Sequence, residues 1–70
     1  MNKDELQKIE AYLRRTLGSP TLVVRARPRK TDSAEVLVGD EFIGLIFRDD
    51  EDEDDLSYNF QMAILAIDLE

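Results

Sequence analysis

The sequence predicts a small α+β domain, with one N-terminal helix packed on a four-stranded antiparallel meander in two layers. Three observations lead there. An apolar stripe at helical spacing stops at Gly18-Ser19-Pro20, the period drops to two beyond Pro20, and Gly39-Asp40 separates two alternating runs. Seventy residues leave room for one domain, 1–70, and one core. A chain this short buries only about 60% of the surface its unfolded form exposes, so its stability is marginal. Without cysteine or histidine, oligomerisation is the aid left open.

The helix is expected over about 3–17. Asn2 can cap it, Glu5 completes a capping box, and Met1 and Leu6 stand at the staple positions. Leu6, Ile9, Leu13 and Leu17 form the apolar stripe, flanked by Tyr12 and Thr16. Asp4 and Glu5 suit the positive end of the helix dipole, and Arg14 and Arg15 the negative end. Gly18 offers a left-handed cap, and Pro20 prevents continuation.

Strands are expected at about 21–28, 33–38, 41–48 and 56–69, with a polar turn at Arg29-Lys30-Thr31-Asp32. Glycine first in Gly39-Asp40 points to a type II′ hairpin turn, setting Val38 opposite Glu41, Leu37 opposite Phe42 and Val36 opposite Ile43. One face then carries Ala34, Val36, Val38, Ile43, Leu45 and Phe47, joined by Leu22, Val24 and Ala26, and should receive the helix. The other carries Leu37, Phe42 and Ile46 in a rim of Glu35, Arg48, Arg25 and Arg27.

Tyr58, Phe60 and Met62 alternate with polar residues, after which the apolar set shifts by one to Ala63, Leu65, Ile67 and Leu69. A β-bulge produces such a slip, so 56–69 reads as one long, bent strand. The rival reading makes 60–69 a short buried helix, because Gln, Met, Ala and Leu favour helix.

Charge is lopsided. Residues 1–30 carry a balance of +5 and residues 31–70 a balance of −12, for −7 in all. Overall acidity argues against a general nucleic-acid binder. Folding together of the two halves cancels much of the asymmetry; otherwise a basic protein partner or end-to-end self-association is favoured. No run reaches the roughly 20 apolar residues of a membrane span, and no secretory signal is visible. A soluble, cytoplasmic protein is therefore expected.

Chemistry has few places to sit. Histidine and cysteine are absent, which removes most nucleophile–base pairs and all imidazole and thiolate ligands. The run Asp49 to Asp55 places Asp50, Asp52 and Asp54 as an EF-hand loop opens, yet Asp55 stands where that loop needs glycine and Gln61 where it needs glutamate. It reads as a solvated acidic loop, 49–55, or as a docking loop for a basic partner. Arg25, Arg27, Arg29 and Lys30 form a basic stripe that can grip phosphate or carboxylate, but Glu35 shares its face and no aromatic residue interleaves with it. No cofactor, metal site or catalytic residue is expected. The favoured site is the apolar patch Leu37, Phe42 and Ile46, a candidate self-association surface unless the C-terminal segment covers it.

The segments Arg27-Pro28-Arg29-Lys30-Thr31-Asp32-Ser33-Ala34-Glu35-Val36, Gly39-Asp40-Glu41-Phe42-Ile43-Gly44, Phe47-Arg48-Asp49-Asp50-Glu51-Asp52 and Ser57-Tyr58-Asn59-Phe60-Gln61-Met62-Ala63-Ile64-Leu65 together resemble a small bacterial family. That family, typical of alphaproteobacteria, is catalogued as domain of unknown function 3126. The resemblance spans nearly the whole chain and implies a stand-alone bacterial cytoplasmic protein, with no activity, cofactor or catalytic residue attached. Ala66 departs from it, standing where the resemblance implies an acid that alternates with Asp68. The resulting expectation is a non-catalytic binding module that forms a homodimer through its sheet. The alternative is a charge-led binder of a basic protein or nucleic acid.

Overall fold

Asn2 and Gly18 bound the helix from both ends. In the computed structural model, which describes residues 1–52 and 54–70, helix α1 runs Lys3–Leu17. The Asn2 side chain accepts the Glu5 N–H at 2.7 Å. Gly18 turns left-handed at φ 64° and returns its N–H to Arg14 O. Leu13 is buried, and Leu6 and Ile9 pack beside it, but Leu17 at the end of the predicted stripe is exposed.

Strands β1 (Leu22–Arg27), β2 (Lys30–Val38), β3 (Glu41–Asp49) and β4 (Ser57–Met62) follow. They form one antiparallel sheet in the order β1-β2-β3-β4. The first hairpin is tighter than the four-residue turn predicted, because Lys30 already pairs with Arg27. In the second hairpin both Gly39 (φ 57°) and Asp40 (φ 68°) are left-handed, so the turn is type I′ rather than the expected type II′.

Past that turn the predicted register holds for Val38–Glu41 and Leu37–Phe42 and then slips. Val36 pairs with Gly44, so Ile43 is an extra residue on β3. This bulge flips every later side chain of β3. Ile46 and Arg48 move to the face that α1 covers, while Leu45 and Phe47 move to the face turned away from it. The bulge brings Gly44 beneath β4. A Cβ there would stand 2.4 Å from Gln61 O and 2.8 Å from the Phe60 ring, so β4 closes over a position that only glycine can occupy.

The core cluster is Leu13, Leu22, Val24, Ala34, Val36 and Ile46. Ala26, expected within it, is exposed. Burial of a side chain such as Leu22 or Ile46 stabilises by about 1.5–3 kcal/mol.

The C-terminal segment differs from both readings of the sequence. β4 ends at Met62, without the long bent continuation, and Ala66–Leu69 forms a single exposed 3₁₀ turn rather than a buried helix. In the acidic loop, Glu53 lies outside the described residues. The described acids of that loop, Asp49, Asp50, Glu51, Asp52, Asp54 and Asp55, are exposed.

Candidate interaction surface

The helix crosses the sheet diagonally, and its two ends do different things. Its C-terminal half lies along β1. There Arg14 Nε donates to Leu22 O at 2.7 Å, and Glu10 Oε2 accepts the Val24 N–H at 3.2 Å. Leu22 and Val24 offer these groups on the outer side of β1, so helix side chains occupy the place of a fifth strand. An ion pair of 2.7 Å between Arg14 Nη2 and Glu10 Oε1 locks the two together. The spacing of this pair is the ordinary i,i+4 of a helix surface.

The N-terminal end of α1 instead reaches the far side of the sheet. Arg48 Nη1 lies 3.3 Å from both carboxylate oxygens of Glu5, and Tyr58 Oη donates to Glu5 Oε2 at 2.5 Å. The Tyr58 hydroxyl holds the Glu5 carboxyl below the usual carboxylate range, against the opposing effect of burial and with help from Arg48. The hydrogen bond to Glu5, together with burial, raises Tyr58 above the usual phenol range. Arg48 Nε also lies 3.5 Å from Asp50 Oδ2, without a hydrogen bond. Arg48, placed by the sequence on the uncovered rim, thus fastens helix to sheet.

Between these two ends α1 leaves the helix side of β4 uncovered. A groove of about 370 Å³ opens there, walled by Ile9, Tyr12 and Leu13 and floored by Ile46 and Phe60, with Glu5 and Tyr58 at one end. Its lining is mainly apolar. All six residues of β4 are exposed, and no charged residue occurs from Leu56 to Ile67 in a chain that is 36% charged. Among the described residues, the backbone of β4 makes no hydrogen bond apart from its pairing with β3. Beyond Met62 the apolar residues Ile64, Leu65, Ile67 and Leu69 are between 60% and 77% exposed.

The predicted patch does not form as expected. Ile46 is only 2% exposed and belongs to the core under α1, because the bulge turned it over. Leu37 lies on the opposite face and is 8% exposed. Phe42 alone is open, at 53%, beside a shallow hollow to which Leu45, Phe47, Ala63 and Leu65 contribute. The basic stripe is partly engaged. Arg25 pairs with Glu35 at 3.1 Å, Arg27 Nη1 donates to Ser33 Oγ at 3.0 Å, and Arg29 is exposed in the turn. Asp52 accepts the Asp54 N–H at 3.1 Å, an ordinary local loop contact.

Reading the sequence missed the groove and the closure of β1. The i,i+4 pair Glu10–Arg14 and the uncharged stretch after Leu56 were both visible in it. Which backbone groups that pair would meet depends on how helix and sheet dock.

Among the described residues no group of three or more His, Cys, Asp or Glu side chains is placed to hold a metal ion. No described helix is long and apolar enough to cross a membrane. No curated protein matches the chain, and no solved structure does. A family model does match, over residues 5–68, and the chain belongs to that family, described as protein of unknown function (DUF3126).

Proposed function

We propose that this chain is a non-catalytic interaction module of the bacterial cytoplasm that works as a homodimer, with two copies joined along β4. The observation that carries the reading is the unlikeness of the two sheet edges. β1 is engaged at Leu22 and Val24 by Arg14 and Glu10, whereas β4 is exposed, uncharged and bordered by an apolar groove. Antiparallel pairing of β4 with its own copy about a two-fold axis normal to the sheet joins the two sheets into one. Tyr58, Phe60 and Met62 of both copies then form a continuous row on one face, between the two helices.

Charge-led binding has less support. Arg25 and Arg27 are already held by Glu35 and Ser33, and the described acids of the acidic loop are exposed without a built site among them.

Molar mass in solution, measured by light scattering on a sizing column at low and high salt, tests the reading. A β4 contact carries no charge of its own, so the dimer mass is expected at both salt concentrations. A monomer mass at both overturns the proposal. A dimer that dissociates in high salt moves the contact to the charged surfaces.

A further inference from the structure

We infer that the C-terminal segment Ile64–Glu70 of one copy docks into the α1–β4 groove of a second copy. The inference rests on the self-association reading and adds to it an exchanged arm.

The segment and the groove each lack what the other has. Ile64, Leu65, Ile67 and Leu69 are the most exposed large apolar side chains of the described residues. Within its own copy the segment turns toward the opposite face of the sheet. There Ala63, Leu65 and Asp68 border the hollow beside Phe42, and the segment's apolar side chains stay in solvent. The groove presents Ile9, Tyr12, Leu13, Ile46 and Phe60 with no side chain among the described residues laid across them.

Chain direction brings the two together. When two β4 strands pair antiparallel, the end of one lies beside the start of the other. The chain leaving Met62 therefore arrives next to the partner's Tyr58, at the Glu5 end of the groove, and a reversal over the first residues of the segment turns it back along the groove. With about three residues spent on that reversal, the remaining four in extended form reach roughly 13 Å. The groove wall from Glu5 to Tyr12 is about 10 Å long at 1.5 Å per helical residue, within that reach.

Charge agrees with this direction. The arm carries its only charges, Asp68 and Glu70, at its far end. The outer wall of the groove carries Lys8 and, one turn beyond the groove, Arg15, whose guanidinium lies 5.7 Å from the centre of the Tyr12 ring. Lys8 has an ion pair at 3.1 Å with Asp4 on the open helix surface, where exchange for another carboxylate costs little. Glu5, the acid at the entrance, is already neutralised by Arg48. Apolar side chains thus enter first, past a neutralised entrance, and the acids come to rest beside Lys8 and Arg15.

The lack of cysteine makes the test clean. Two differently tagged chains, one Tyr12→Cys and one Ile67→Cys, are mixed and oxidised mildly so that neighbouring thiols join as disulfides. Both positions are exposed, so neither change disturbs the core. The expected result is a disulfide between unlike chains, formed at least about tenfold faster than in a control that pairs Asp40→Cys with Ile67→Cys. A dimer mass with no excess over the control overturns the arm exchange and leaves the β4 dimer standing. A monomer mass overturns both. A doubly substituted chain that closes on itself as a monomer shows the arm in its own groove and also overturns the exchange. Independently, a chain ending at Ala63 is expected to dimerise at least about tenfold more weakly, and an unchanged dissociation constant counts against the arm.

Discussion

The two edges of this sheet solve the same problem in opposite ways. Each presents a row of backbone donors and acceptors that invites another strand. β1 meets it with two side chains from α1, as Arg14 takes the Leu22 carbonyl and Glu10 takes the Val24 N–H. The same strand carries Arg25 and Arg27 and is followed by Pro28. β4 has none of these guards, and its exposed residues include Tyr58, Phe60 and Met62. An edge left bare beside a guarded one is a selective opening. On the proposed β4 dimer, it admits one partner and stops the array from growing at the other side.

The largest effect should come from guarding the open edge. Asn59→Lys with Gln61→Lys places two cations per copy on the face of β4 away from the groove. In the antiparallel pair these meet their like across the axis. Light scattering should then report the monomer mass, while circular dichroism keeps the folded spectrum; an unaltered dimer removes β4 from the contact.

Next comes the seating of β4 itself. Gly44→Ala drives a methyl group into Gln61 O and the Phe60 ring, and should cost about 1–3 kcal/mol. Hydrogen exchange should localise the loss to β4. Protection lost evenly over the sheet would mean that Gly44 supports the whole fold rather than one strand.

Opening the closed edge is a gentler change with a distinctive sign. Glu10→Ala with Arg14→Ala removes both backbone contacts at β1 and should lower stability by about 1–2 kcal/mol in urea. It should also produce species larger than a dimer, since each copy now offers two edges and the array no longer closes. A variant that is destabilised yet strictly dimeric would assign the pair to helix docking alone.

The smallest effect is set by pH. The folded state lowers the Glu5 pKa, so its contribution is present above the normal carboxylate range and is lost as pH falls through the depressed value. Tyr58 is raised, so its contribution is present below the normal phenol range and is lost as pH climbs through the elevated value. The wild-type stability curve should therefore fall at both ends. Glu5→Gln should flatten its part of the acid limb, and an acid limb of unchanged slope would place the titration elsewhere.

Much of this arrangement is legible in the chain because its causes are local. Asn2, Glu5 and Gly18 mark the helix within one turn of each end, and Gly39-Asp40 marks the second hairpin. What is not legible depends on contacts between distant residues. Nothing near Ile43 announces the bulge except Gly44, whose need for space arises from Phe60 and Gln61 on another strand. That single extra residue decides whether Ile46 lies in solvent or in the core, so the predicted patch failed although its residue types were well chosen. The C-terminal alternation after Met62 is similarly misleading. Those residues have the pattern of a strand but lack a neighbour within this copy to pair with.

The bond between Glu5 and Tyr58 joins residues 53 positions apart, and the one between Glu5 and Arg48 joins residues 43 apart. The helix and the β1–β2 hairpin need only contacts between near neighbours in the chain, and closing so long a loop is slow compared with forming them. β4 is therefore the last strand to take its place. The strand at the open edge is thus fastened by contacts that reach back to the first turn of the helix, so its seating reports whether the rest of the molecule has folded.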